Sequence, residues 1–158
     1  MIAFSSITAQ IIGTPVTLTA STTSGLAVTF DSTTSTTCTV TDTTVMLIAT
    51  GTCTIQATQA GNRTYSAAPL ISRSFPVKLQ PQTIMFEPIS TQTVDATLAL
   101  AASANSRLSV SFSSQISTVC TVSDTTAMMI KKGTCRIAAT QSGDATYAAA
   151  SSVLQSSP

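Results

Sequence analysis

The chain of 158 residues carries few charges, since only 8% of its residues are charged and the net charge is +1. Its seven basic residues are mostly isolated, so they form no positive stripe for nucleic acid or for anionic lipid. We therefore expect no nucleic-acid partner and no insertion into a membrane.

The residue composition favours strands over helices. Threonine and valine suit the half-buried surface of a strand, whereas the helix formers glutamate, lysine and arginine are scarce. The sequence therefore predicts an all-β fold.

The sequence consists of two copies of one repeat. A shift of 82 positions aligns Ile2 with Ile84 and continues without a gap, with roughly half of the aligned positions identical. Such an internal repeat indicates a tandem array of small domains. We predict one domain at residues 1–78 and a second at residues 83–158, joined by a short linker at residues 79–82.

Each copy has a regular series of short predicted strands. In the first copy they are, in chain order, residues 2–4, 16–20, 26–30, 38–40, 44–48, 52–58 and 70–77. Apolar residues alternate with small polar residues within them, and turn-forming residues separate them, as in strands covered on one face. About seven such strands per copy predict a β-sandwich.

Two pairs of equivalent residues are predicted to form turns. Asp42 and Asp124 lie in a predicted hairpin, where aspartate makes local hydrogen bonds to the backbone. Gly51 and Gly133 lie in the next turn, directly before the predicted strand that carries the second cysteine of each copy. These four residues are assigned structural roles, and we do not expect the aspartates to act as a general acid or base.

Other recurrent side chains are assigned to the core. We expect Tyr65, and Tyr147 in the second copy, to anchor the long connection after residues 52–58. Met46 and the adjacent Met128 and Met129 are expected to fill core space within strands.

The four cysteines lie on the apolar faces of their predicted strands, so their sulfur atoms should face the core. Of the three connectivities that four cysteines permit, only Cys38–Cys53 with Cys120–Cys135 keeps each copy self-contained. Closing a loop of about 15 residues stabilises a fold by about 3 kcal/mol in the chain-entropy model. Two alternatives remain, a zinc site shared between the copies and buried free thiols.

Disulfides indicate an oxidising compartment, so we expect an extracellular or cell-surface location. Residues 1–20 lack the basic start and the continuous apolar core of a signal peptide. An export signal would then lie outside this chain. The first copy opens abruptly and the second stops early, which suggests a section of a longer array.

The sequence gives no sign of catalysis, of a cofactor or of a bound metal. It contains no histidine to act as a base for its many serines and threonines, and no glycine-rich phosphate loop. No aspartate-rich calcium loop is present, although calcium between repeats is an alternative. We therefore expect a protein that is not an enzyme.

The segment "VTFDSTTSTTCTVTDTTVMLIATGTCTIQATQAGNRTYSAAP", residues 28–69, resembles the bacterial immunoglobulin-like repeats of large secreted surface proteins. It is also similar to the group-2 immunoglobulin-like domains of intimin-type and invasin-type adhesins, which have small residues where Cys38 and Cys53 stand. The second copy departs from the pattern at Arg107 and Ser151. The resemblance implies two tandem immunoglobulin-like β-sandwich domains that serve as spacer or adhesive modules.

Three functions are compatible with these observations. The first is a spacer whose partners are the neighbouring repeats of the same chain. The second is a module that binds a host-surface protein or a glycan, which the low aromatic content of 4% disfavours. The third is a subunit that decorates a virion or assembles with itself into a fibre or filament. We favour the spacer.

Overall fold

The structure is a computed structural model that describes residues 1–157. It divides into two compact units, Met1–Gln80 (unit 1) and Pro81–Pro158 (unit 2). Both units consist of strands and their connections. Residues 1–157 contain no helix, and so none that is long and apolar enough to cross a membrane.

Unit 1 is built from two sheets and a separate strand pair. Its strands are β1 (Ile2–Phe4), β2 (Gln10–Ile11), β3 (Val16–Thr17), β4 (Ala20–Thr22), β5 (Thr29–Ser32), β6 (Cys38–Thr41), β7 (Thr44–Leu47), β8 (Gly51–Gln59) and β9 (Ala68–Lys78). One sheet has the order β2-β9-β8-β5, the other has the order β3-β7-β6, and β1 pairs with β4. The strands pair antiparallel except for β2 and β9, which are parallel.

Unit 2 repeats this plan. Its strands are β10 (Ile84–Phe86), β11 (Thr97–Ala99), β12 (Ala102–Ala104), β13 (Ser111–Ser114), β14 (Cys120–Ser123), β15 (Thr126–Met129), β16 (Cys135–Thr140) and β17 (Val153–Ser157). The sheets are β13-β16-β17 and β11-β15-β14, and β10 pairs with β12.

Each unit has its own core, formed by the residues that alternate inward along the strands. In β8, for example, Cys53, Ile55 and Ala57 are fully buried. The rings of Phe4 and Phe30 pack at a centroid distance of 5.3 Å in this core. In unit 2 the corresponding inward residues of β16 are also buried, and a second pair of phenylalanine rings packs at the same distance. The predicted all-β fold of two tandem β-sandwiches is thus confirmed.

The strand predicted at residues 16–20 is divided in the structure. Residues 16–17 pair with β7, whereas residues 20–22 pair with β1. Between them the amide of Leu18 donates a hydrogen bond to Thr43 O at 2.7 Å. After Leu18 the chain leaves the sheet β3-β7-β6 and forms the strand pair β1-β4. The two-residue strand β2 was not predicted, because it depends on a parallel partner far along the chain.

The prediction that Met46 and Met128 fill the core is wrong. Their side chains are 46% and 51% exposed, because the inward positions of these strands are taken by their neighbours on either side. Met129 does lie inside, with 5% of its surface exposed.

The residues predicted as a linker are held within the units. Leu79 packs against the core of unit 1, and Gln80 Nε2 donates a 3.4 Å hydrogen bond to Ile12 O. Gln82 is buried in unit 2. The domain limits at residues 78 and 83 remain predictions.

Candidate functional site

The covalent link between the two sheets is the first feature that recurs in both units. In unit 1, Cys38 of β6 is bonded to Cys53 of β8, so the bond joins the sheet β3-β7-β6 to the sheet β2-β9-β8-β5. In unit 2, Cys120 of β14 is bonded to Cys135 of β16 in the same way. All four cysteines are buried, and none is free within the described residues.

Hydroxyl groups surround the disulfide of unit 1. Ser32 Oγ lies 3.3 Å from Cys38 Sγ, and Thr34 Oγ1 lies 3.5 Å from the same atom. The hydroxyls are the donors, because a disulfide sulfur carries no hydrogen. Thr34 Oγ1 also accepts a 2.9 Å hydrogen bond from the amide of Thr54, which ties this turn to β8.

Unit 2 keeps half of this arrangement. Ser114 Oγ lies 3.3 Å from Cys120 Sγ, but Ile116 stands where unit 1 has Thr34. The second hydroxyl is therefore absent from the surroundings of this disulfide.

The hairpin between β6 and β7 contains the first pair of turn residues. Asp42 and Thr43 form a two-residue loop, and Asp42 has a positive φ of 54°. Asp124 has a φ of 51° at the equivalent position in unit 2. Aspartate tolerates this conformation better than most residues, and the turn types favoured in two-residue hairpin loops have a positive φ at this first loop position. Both aspartates are exposed and meet the geometric demands of a turn.

Gly51 and Gly133 mark the start of the strand region that carries the second cysteine. Their φ angles are 136° and 151°, a region that favours glycine. A Cβ atom on Gly133 would lie 3.2 Å from Val119 Cγ2. A side chain at either position would therefore strain the backbone.

The predicted anchoring of Tyr65 through its side chain is wrong, since that side chain is 49% exposed. Its backbone holds the loop instead. Asn62 N donates to Tyr65 O, and Tyr65 N donates to Asn62 Oδ1, both at 2.8 Å. In unit 2 the side chain of Tyr147 is half-buried, and its backbone makes the same two bonds with Asp144.

Sequence reasoning missed the residues that shape this loop. A Cβ atom on Gly61 would overlap Tyr65 O and would lie 2.7 Å from Ala67 N, so only glycine fits there. The signal was present, because glycine followed by asparagine or aspartate recurs at residues 61–62 and 143–144. Asparagine and aspartate accept hydrogen bonds from backbone amides two or three residues later.

Asp144 is the ionisable side chain that this loop affects most clearly. Its Oδ1 accepts hydrogen bonds from Tyr147 N at 2.8 Å and from Thr146 N at 2.7 Å. These bonds stabilise the carboxylate and hold the pKa of Asp144 below its usual value of 3.8, with the Tyr147 amide as the larger cause. The side chain is exposed, so the carboxyl group of Asp144 is in direct contact with solvent.

A buried glutamine network was also missed, because Gln82 falls in the predicted linker. Gln82 Nε2 donates to Gln141 Oε1 and, at 2.6 Å, to Ala148 O. Ser106 Oγ donates to Gln82 Oε1. These bonds satisfy the polar side chain of Gln82, which is 7% exposed. They also fix the start of unit 2 to the connection between β16 and β17.

The described residues bring no three side chains of histidine, cysteine, aspartate and glutamate together as metal ligands would be. The recurrent residues instead form a disulfide, turns and a core. The disulfides and the turn residues constrain the backbone.

No protein-family model matches the chain, and no curated protein matches it. Among solved structures it is similar to domains EC1-2 of human mucin-like protocadherin, with a TM-score of 0.37 and 11% identity over 99% of this chain and 95% of that chain. Domains 4 and 5 of the S-layer protein SbsC give a TM-score of 0.36 and 16% identity over 89% of this chain and 81% of that one.

A C-terminal fragment of intimin, solved in complex with the intimin-binding domain of its translocated receptor, gives a TM-score of 0.37. The identity is 16% over 100% of this chain and 63% of that fragment. Similarities of this size do not identify a family or a function.

Replacing Asp144 by asparagine should keep the loop and remove its titration. Asparagine offers the same Oδ1 acceptor, as Asn62 does in unit 1. In the unchanged chain, the contribution of Asp144 to stability should be complete above the unfolded pKa of 3.8 and should disappear as the pH falls through the lowered folded pKa.

This prediction is tested by melting both proteins between about pH 2 and pH 6 and following the Asp144 carboxyl by NMR. Asp144→Asn should show a weaker loss of stability in acid. A pKa of Asp144 at or above 3.8, or an unchanged pH dependence in the variant, would contradict it. The substitution Asn62→Asp is the matched control, since it should introduce the same pH dependence into unit 1.

Proposed function

We propose that the chain is a non-catalytic structural spacer of an extracellular surface protein. The observation that carries this proposal is the repetition, at an offset of 82 residues, of a self-contained sandwich with its own core and its own disulfide between sheets. A unit that needs nothing from its neighbour to complete its core can be added to an array without changing the others.

The location and the repeat type belong to this proposal. Buried disulfides suit the cell surface or the extracellular space, where thiols oxidise. The sequence resemblance supports bacterial immunoglobulin-like repeats with cysteines, as in adhesin-like proteins. The partners of each unit would then be the neighbouring repeats of the same chain.

The topology of unit 1 suits a module that carries tension. The parallel pair joins Gln10 to Val77 and Ile11 to Lys78, and so links a strand near the start of the unit to the strand at its end. Pulling the two ends apart would slide these strands along each other, which loads their hydrogen bonds together rather than one at a time. The disulfide then limits how far an unfolded unit can extend.

Single-molecule stretching tests this role. The disulfide of each unit spans 15 residues, so an oxidised unit should extend on unfolding by about 50 Å less than a unit without it, at roughly 3.3–3.6 Å per extended residue. The chain carrying Cys38→Ala and Cys53→Ala is the control, since only one of its two unfolding events should lengthen. Equal extensions in both proteins, or unfolding without a measurable force peak, would contradict the proposal.

One observation favours a second candidate, a module that binds another molecule or itself. Met46 and Ile48 of unit 1 are 46% and 53% exposed, and their equivalents Met128 and Ile130 are 51% and 46% exposed. Exposed apolar side chains at the same positions in both units suit a docking face. Such a face could take a host-surface protein, a glycan or another copy in a fibre or on a virion.

Sedimentation at high concentration separates the two candidates. We expect the unchanged chain to be monomeric, and the double variant Met46→Ser with Met128→Ser to sediment identically, because these side chains face solvent in a spacer. Association of the unchanged chain that is lost in the variant would favour the self-assembling subunit. Retention of the chain by a glycan or host-protein array, again lost in the variant, would favour the binding module.

A further inference from the structure

The loop between β8 and β9 contains a three-residue pattern that secreted proteins use as a site of modification. Asn62 is followed by Arg63 and Thr64, which gives asparagine, a residue other than proline, and then threonine. This pattern is the acceptor for N-linked sugar. The other asparagine of the chain, Asn105, stands two residues before Arg107 and therefore lacks the pattern. The pattern thus occurs once in the sequence.

The folded loop holds the Asn62 side chain by its oxygen. Oδ1 accepts hydrogen bonds from Thr64 N and from Tyr65 N, both at 2.8 Å. Within residues 1–157 these two are the hydrogen bonds of this side chain, and neither involves Nδ2. Because the amide group is planar, fixing Oδ1 against the backbone also fixes the direction of Nδ2. The nitrogen to which a sugar is attached is therefore held in place and free of a partner within these residues.

The loop also has space for a bulky group at this position. Asn62 and the next five residues, 63–67, are all exposed. The tight contacts of the loop are made by its backbone at Gly61, where no side chain fits. Attachment at Nδ2 replaces one of its two hydrogens and leaves Oδ1 unchanged, so both hydrogen bonds from the backbone are kept. A sugar on Asn62 is thus compatible with the folded loop.

Unit 2 shows which part of this side chain the loop needs. Asp144 stands at the equivalent position, and its Oδ1 accepts the same two hydrogen bonds, from Thr146 N and from Tyr147 N. The loop therefore needs the oxygen, and it forms without the nitrogen. A carboxylate cannot carry an N-linked sugar, although the threonine two residues later is kept. The amide nitrogen of unit 1 is thus a group to which the fold gives no structural role.

We propose that Asn62 is an N-glycosylation site and that unit 2 lacks the equivalent site because of Asp144. The donor is a sugar activated at C1 by a phosphate leaving group, carried on a lipid or on a nucleotide. In the transfer a bond forms between Nδ2 and C1, while the bond between C1 and the phosphate oxygen breaks. The phosphate leaves with the electron pair, and Nδ2 loses one proton to a base of the transferase. This inference rests on the surface location in the proposed function.

A sugar at this place suits a weakly charged surface module. Only 8% of the residues are charged and the net charge is +1, so charge repulsion contributes little to keeping copies apart in solution. A bulky, hydrated sugar supplies solubility without adding charge. Exposed loop tips are also preferred sites of proteolytic cleavage. A sugar on Asn62 would shield the neighbouring peptide bonds, including those of Arg63.

The test is a peptide map of the full polypeptide recovered from the surface of the cells that produce it, made with a protease that does not cleave at Arg63. The peptide with Asn62 should be heavier by the mass of a sugar in most molecules, and fragmentation should place the sugar on Asn62. The peptides with Asn105 and Asp144 should be unmodified. One preassembled oligosaccharide indicates a lipid-linked donor, whereas a single hexose indicates a nucleotide-linked donor.

Three variants produced in the same cells check the chemistry. Thr64→Ala should abolish the sugar, although the backbone amide that bonds to Oδ1 is kept. Thr64→Ser is the matched control and should retain the sugar, because the hydroxyl of the pattern remains. Asp144→Asn should add a second sugar in unit 2, since Thr146 completes the pattern there.

The disulfides in the same map separate failure of this inference from failure of the surface location. Unmodified Asn62 in a polypeptide with the disulfide Cys38–Cys53 would overturn the inference and leave the location standing. Unmodified Asn62 together with free thiols would overturn both. A sugar that survives Thr64→Ala, or that lies on a hydroxyl group, would overturn the assignment to Asn62. Absence of a second sugar in Asp144→Asn would overturn the reason given for unit 2.

Discussion

In each unit one covalent bond ties a strand of one sheet to a strand of the other, and the remaining contacts are arranged around it. Cys38 and Cys53 are fully buried, beside core residues such as Ile55. A domain of about 80 residues buries a small fraction of its surface compared with larger domains, so its core alone provides little stability. The disulfide compensates by restricting the unfolded chain, and it holds the two sheets face to face.

The two units differ at buried positions although both contain the same disulfide between their sheets. Unit 2 replaces Val45 by Ala127 and Phe75 by Ser157, both at positions that are buried in unit 1. Each change removes apolar volume from a core that is already small. Unit 2 therefore holds less apolar volume than unit 1 at these two positions, although both units have a disulfide at the same place.

Local alternation and the repeat made the all-β fold and the burial of the cysteines predictable from the sequence. Because side chains along a strand alternate between its two faces, the apolar neighbours of the cysteines indicated that both cysteines of a copy face the core. The repeat then favoured the pairing in which each disulfide lies within one copy. Strand β2 could not be predicted, because a two-residue strand has no pattern of its own and depends on residues 77–78. The error at Tyr65 arose because a large aromatic side chain suggested burial, whereas the backbone and Asn62 hold the loop. The burial of Gln82 could not be foreseen, since its partners Gln141 and Ala148 lie 59 and 66 residues later.

The central claim, that each sandwich is held by its own disulfide, is tested most directly by calorimetry of the chain with Cys120→Ala and Cys135→Ala. Loss of about 3 kcal/mol should lower the melting transition of unit 2 by roughly 12–24 °C in a domain of this size. The transition of unit 1, with its bond between Cys38 and Cys53 intact, should stay in place. An unchanged transition for unit 2, or an equal fall in both transitions, would contradict the account.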